Sequence, residues 1–171
     1  MGGKRQSILF ITHQLSRTGA PIVLLDMLRI CQDAGYEVTV ISLLEGELRE
    51  ELENRHISVS IKDDFVKDWE KFRAYATSFD LVVCNTLLTY QVFHVLNGTD
   101  TPVLWWLHEG EQYFEYFKTV LPDFHALDKN ISIYDASITV QELLSRRYGI
   151  DTEILHPGVK ETIVNAEGES Q

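Results

Sequence analysis

Ser7-Ile8-Leu9-Phe10-Ile11-Thr12-His13-Gln14-Leu15-Ser16-Arg17-Thr18-Gly19-Ala20-Pro21 is an apolar run that stops at a histidine and turns through a glycine into a proline. An Ile-rich run without polar alternation is the pattern of a strand buried on both faces, as in a parallel sheet. Pro21 suits the first turn of a helix, where the amide it lacks would have no helical acceptor. The helix continues through Val23, Leu24, Leu25, Met27, Leu28 and Ile30 to Ala34, with Gly35 as its stop. In mid-chain, Val103-Leu104-Trp105-Trp106-Leu107-His108-Glu109-Gly110 repeats the pattern of apolar strand, histidine and turn.

Working outward, the same alternation recurs. Further strands are expected at Tyr36–Ser42, Ile57–Ile61, Leu81–Cys84, Pro102–Leu107, Ala136–Val140 and Glu153–Leu155. Helices are expected at Glu47–Asn54, Asp68–Thr77, Leu87–Leu96, Glu111–Lys118 and Glu142–Tyr148, the last stopped by Gly149. Strand–helix units at this spacing, joined by right-handed crossovers, predict an α/β fold: a doubly wound, mainly parallel Rossmann-like sheet with helices on both faces. Residues 7–155 form that domain, after a polar stretch at 1–6 that is disordered or left by cloning. Residues 156–171 read as a hinge and polar tail.

Composition narrows the function classes. The chain has 171 residues, 44% of them hydrophobic, enough to bury a full core. Its formal charge of −11 repels phosphate backbones and anionic lipid heads, so neither nucleic-acid binding nor membrane association is indicated. Cys31 and Cys84 lie in apolar runs without CxxC spacing and read as reduced core thiols. No apolar stretch of transmembrane length and no signal peptide is seen, so a cytoplasmic location is expected.

In an open parallel sheet, ligands bind outside the carboxyl ends of the strands. The segments expected there are His13–Gly19, Asn85-Thr86, His108-Glu109, Val140-Gln141 and His156-Pro157-Gly158. Gly19 precedes a helix whose first amides lack partners and whose dipole is positive there, a place that receives phosphate. The alternative is that Gly19 only makes the turn. His108 either hydrogen-bonds a ligand hydroxyl or orders its loop. Glu109 and Glu111 are either general bases or members of a solvated acidic loop. A metal held by His13, His108, Glu109 and His156 is disfavoured, since neither i,i+4 nor CxxC spacing is present. Trp105 and Trp106 should point to opposite faces of their strand and pack under helices on both sides. Among Tyr113, Phe114, Tyr116 and Phe117, an inner pair should join the core and an outer pair face a crevice.

With those residues placed, the chain resembles the amino-terminal domain of a family 4 glycosyltransferase of GT-B architecture. The resemblance is carried by Thr12–Pro21 with Leu24-Leu25, by Ala34–Val40, Val82–Thr86 and Pro102–Glu109, and by Ile154–Val159. It implies two Rossmann-like domains facing across a cleft, the amino-terminal one holding the acceptor and the other a nucleotide-sugar donor. It implies His108 as the catalytic residue beside the transferred sugar. It places Thr18, Gly19, Ala20, Asn85 and Glu109 as candidates toward the donor diphosphate or substrate, and His13, Arg17 and Tyr113 toward the acceptor. Leu155–Val159 would be the hinge. Transfer would be retaining, with no metal or other cofactor, to a glycan, lipid-linked or protein acceptor, as in polysaccharide biosynthesis.

The chain departs from the family pattern in two places. One glycine, in Thr18-Gly19-Ala20, stands where many members have two. Only a polar tail follows Lys160, so the donor-binding domain is expected on a separate chain or in a longer parent protein, and the isolated domain is expected to be inactive. Two other classes stay open on residues alone. One is a non-catalytic binding or regulatory domain on the same fold. The other is a nucleotide-dependent oxidoreductase, disfavoured by the absence of GxGxxG and of an acidic residue ending the second strand, where Ser42 follows Ile41.

Overall fold

The computed structural model describes residues 5–62 and 67–156. Among these, seven strands form one sheet: β1 (Ser7–Thr12), β2 (Glu37–Ser42), β3 (Ser58–Ile61), β4 (Leu81–Asn85), β5 (Val103–Leu107), β6 (Ile131–Asp135) and β7 (Glu153–Ile154). Every pairing is parallel, in the order β3-β2-β1-β4-β5-β6-β7. The chain winds outward from β1 to β3, crosses back to β4 and winds the other way. The switch point therefore lies between β1 and β4.

Six helices among the described residues cover the sheet: α1 (Gly19–Asp33), α2 (Leu48–Asn54), α3 (Trp69–Ala76), α4 (Gln91–Leu96), α5 (Glu111–Phe117) and α6 (Ile138–Tyr148). Side chains alternate across each strand. Ile8 and Phe10 face the layer built by Leu24, Leu25 and Leu28 of α1 with Leu48 and Leu52 of α2. Leu9 and Ile11 face the opposite layer, which α3 to α6 supply through Phe72, Val92, Phe93, Phe114, Val140 and Leu144. Each such side chain taken fully from water contributes about 1.5–3 kcal/mol. The doubly wound α/β sheet read from the sequence is thus the fold observed, and it is parallel throughout.

Two expected elements differ. Ala136–Val140 is not a strand: β6 is the preceding Ile131-Ser-Ile-Tyr-Asp, and Ile138 already belongs to α6. The β-branched trio Ile138-Thr139-Val140 imitates a strand, but Ser137 in extended geometry starts a helix there and Val140 packs into the core. Val140-Gln141 is therefore not a strand end, and Asp135 takes that place. Leu87–Leu96 is not one helix but a 3-10 turn at Leu87–Thr89 followed by α4. Gly149 ends α6 with φ 65°, a left-handed residue as the stop requires. Cys84 is buried and its thiol is pushed up by burial; Cys31 is half-buried and shifted the same way. No helix among the described residues is long and apolar enough to cross a membrane. Of the expected hinge, Leu155 and His156 are described; Pro157, Gly158, Val159 and the tail lie outside the described residues, as do residues 1–4.

One glycine that the sequence reading passed over shapes the first loop. A Cβ on Gly46 would lie 2.1 Å from the backbone carbon of Leu15 and 2.4 Å from the Ser16 nitrogen. The loop after β2 therefore packs backbone to backbone on the loop after β1, and Leu48 N–H donates to the Leu15 carbonyl at 2.9 Å. Gly46→Ala is expected to cost about 3 kcal/mol, because neither backbone can yield without moving the other. Urea unfolding checks it; a loss below about 1 kcal/mol would show that the loops part freely.

Candidate functional site

Three neighbouring strands, β1, β4 and β5, bring His13, Asn85-Thr86 and His108-Glu109 to one carboxyl edge. Thr12 pairs with Asn85, and Asn85 with Trp106, so the three ends are level. At the switch point Asn85 is fully buried. Its Nδ2 donates to the Ala20 carbonyl at 3.3 Å and to Thr12 Oγ1 at 3.4 Å, tying the end of β4 to the first turn of α1. Its Oδ1 is buried without a partner among the described residues.

α1 presents an uncapped start. Thr18 occupies the N-cap position, but its hydroxyl bonds Ser16 Oγ at 2.8 Å rather than the helix amides. The first amides therefore point outward with the positive end of the dipole behind them. Gly19 has no positive φ, and a Cβ there would meet nothing within 4 Å. The turn does not need glycine; the space in front of it is open.

His13 is partly buried, its Nδ1 is 3.1 Å from Thr86 Oγ1, and burial lowers its pKa. His108 directly follows β5, with its ring against Trp106, centroids 4.6 Å apart. Burial, with His13 close enough to oppose a second positive charge, brings His108 down to about 4. Both imidazoles are neutral at physiological pH. Nε2 of His108 is buried and meets no hydrogen-bond partner among the described residues. Buried polar atoms are nearly always paired; His108 Nε2 and Asn85 Oδ1 are two such orphans at the ends of neighbouring strands, and Asp135 Oδ1 at the end of β6 is a third.

Glu109 turns inward. One carboxylate oxygen accepts from Leu87 N–H at 2.9 Å and from His108 N–H at 3.0 Å, while burial raises its pKa. It joins the β4 and β5 loops. Arg17 turns away from the edge, its guanidinium 3.1 Å from Glu51 on α2. Glu111 pairs with Arg146 of α6 at 3.2 Å, so this carboxylate is a surface ion-pair partner. Tyr113 and Tyr116 stand exposed on α5, one turn apart, while Phe114 and Phe117 pack inward. A cavity of about 440 Å³ opens between the Glu109–Glu111 loop and α6.

The sequence reading missed Asp135, whose position ending an Ile-Ser-Ile-Tyr-Asp alternation was the available signal. It is buried at the end of β6, raised by burial, and accepts from the Thr152 hydroxyl, while Leu155 N–H donates to its backbone carbonyl at 2.9 Å. Trp106 Nε1 donates to the Leu155 carbonyl at 3.1 Å, so the chain's exit is pinned to the strand that carries His108. Trp105, on the opposite face, packs under α4 instead. Ser42, ending β2, directs its hydroxyl at the Leu44 carbonyl. Among the described residues no group of three or more His, Cys, Asp or Glu side chains is placed to hold a metal ion, and His156 is exposed.

A family model, Glycosyl-transferase family 4, matches residues 4–168. No curated protein matches the chain. Among solved structures, HepE from Anabaena in complex with UDP and glucose superposes with TM-score 0.67 at 18% identity, over 91% of this chain and 45% of that one. An α-glucosyltransferase in complex with UDP and a 13-mer DNA containing a HMU base superposes with TM-score 0.61 at 13% identity, over 92% of this chain and 43% of that one. At these identities the likeness is one of fold. The chain spans less than half the length of either structure.

Proposed function

The chain belongs to glycosyl-transferase family 4, and from that footing we propose that it forms the acceptor-side wall of a cleft where a sugar passes from a nucleotide-sugar to a glycan, lipid-linked or protein acceptor. The observation that carries the reading is the juxtaposition at the switch point of an uncapped helix start, open space beside Gly19 and the orphan Nε2 of His108. A diphosphate set before α1 would receive backbone N–H groups and the helix dipole, which stabilise charge as the nucleotide departs. The neutral His108 imidazole would hydrogen-bond a hydroxyl of the transferred sugar. Asn85 would hold the first turn of α1 in place, and its free Oδ1 would accept from the ligand. The exposed Tyr113 and Tyr116 would offer ring faces to an acceptor lying along α5.

In this reading transfer is retaining and needs no metal; the site is completed by a second α/β domain that binds the nucleotide. The two complexes with UDP support a nucleotide-sugar donor by analogy of fold. Gly19→Val tests the diphosphate role. Because a Cβ at this position meets nothing, the melting temperature should stay within about 2 °C, a surface-sized effect. In the two-domain protein the donor KM should rise by at least about tenfold, the side chain standing where the phosphate must approach. An unchanged KM would remove the phosphate from this helix. The 171-residue chain alone should show no turnover, and robust transfer by it would overturn the shared-cleft reading.

A further inference from the structure

We propose that Trp106 is a positioning residue for transfer: its indole backs the His108 ring while its N–H holds the segment by which the chain leaves the sheet. Trp105 and Trp106 have opposite fates in this fold. Trp105 packs into the layer beneath α4, whereas Trp106, just as buried, belongs to neither apolar layer. Leu104, two residues earlier on the same face of β5, still packs against the layer of α1 and α2. Trp106 stands past it, near the carboxyl end of the strand, so those layers do not account for an indole there.

Its contacts do. The indole lies 4.6 Å from the His108 ring, centroid to centroid, the one ring contact His108 makes among the described residues. Its N–H, which can only donate, meets the Leu155 carbonyl at 3.1 Å, 49 residues away. Leu155 directly follows β7 and opens the segment that the family resemblance makes the hinge. Its own N–H is held by the Asp135 carbonyl at 2.9 Å. Thr152, just before β7, gives its hydroxyl to the Asp135 carboxylate, and its carbonyl accepts from Gln141 Nε2 at 2.6 Å. Those three bonds tie the exit to β6 and α6; the bond from Trp106 ties it to β5, the strand that brings His108 to the edge. In a cleft shared by two domains, a misplacement of about 1 Å can cost two orders of magnitude in rate. One side chain here fixes both the imidazole and the point from which the segment toward the second domain departs. This role rests on the reading of His108 as the residue beside the transferred sugar, and the test separates the two.

Trp106→Phe keeps a ring and removes the N–H. In the chain, deuterium exchange of the Leu155 amide should quicken about three- to tenfold while the β1 amides keep their rates, the mark of one lost hydrogen bond rather than of general loosening. An unchanged Leu155 rate overturns the proposal. Trp106→Leu removes the ring as well. His108, which burial holds at about 4 and which has His13 and the Glu109 carboxylate as its titrating neighbours, should then titrate at least about one unit higher by imidazole NMR. A midpoint still near 4 overturns the proposal too; if the leucine variant does not fold, the phenylalanine variant carries the test alone. In the two-domain protein, Trp106→Phe should lower kcat about tenfold with donor KM within about twofold. In a His108→Ala background the same change should cost less than about twofold, since Trp106 acts through His108. Equal losses in both backgrounds, or a wild-type kcat for Trp106→Phe beside an impaired His108→Ala, overturn the positioning role. Wild-type transfer by His108→Ala alone would instead overturn the reading of the crevice itself, with the hold on Leu155 still read from exchange.

Discussion

Replacing Trp105 by alanine is expected to destabilise the fold by about 4 kcal/mol, a fall in melting temperature of roughly 8–16 °C. No part of Trp105 is exposed; its indole stacks on Phe93 of α4 with centroids 4.0 Å apart and on Phe124 at 5.6 Å. Removing it opens a cavity between β5, α4 and the turn before β6, and a close-packed interior closes such a gap only in part. The substitution also takes a donor from the Thr86 carbonyl, which then keeps only its bonds from Thr89. Trp105→Phe should recover most of the packing but not that bond, and so fall between the two. Guanidinium unfolding measures all three. A loss under about 1 kcal/mol for the alanine variant would mean that β5 does not centre this core.

His108→Ala in the two-domain protein is expected to lower kcat by about 10²–10³-fold, the scale of removing one placed polar group from a transferring centre. The fold should survive, because the side chain makes one ring contact and its Nε2 holds nothing in the protein. Stability should respond to acid in a defined direction. The unfolded histidine takes up a proton near its ordinary value of 6.5, while the folded one waits until about 4. Between those values the unfolded chain binds more protons, so stability is full above 6.5 and declines as pH falls, by up to about 3 kcal/mol. His108→Ala should flatten that decline. A variant with wild-type transfer would take His108 out of the site, and an unaltered pH profile would place its imidazole in water.

Much of the frame was legible because its causes are local in the chain. Ser7–Thr12 is apolar at every second position on both faces, and only a strand between two helical layers needs that. That Phe114 and Phe117 share one face of α5 and Tyr113 and Tyr116 another follows from helical spacing; which pair is buried came only with the packed structure. Where local signals competed, the reading failed: three β-branched residues at 138–140 outweighed the serine before them, yet an unpaired strand there would have displaced β6 from its place beside β5.

The site residues divide on the same ground. The sequence by itself determined the doubly wound sheet, its two buried faces and the carboxyl edge where His13, Asn85 and His108 converge, since apolar runs, alternation and turn residues are properties of neighbours. Only the tertiary structure decided what those residues do there. Arg17 leaves the crevice for Glu51, 34 residues on; Glu109 reaches back 22 residues to the Leu87 amide; Thr86 meets His13 across 73. Gly46 proves indispensable only because the Leu15 backbone lies against it. Hydrogen-bond direction, strain and the depression of an imidazole pKa are set by what surrounds an atom in space, and that is fixed when distant strands pair.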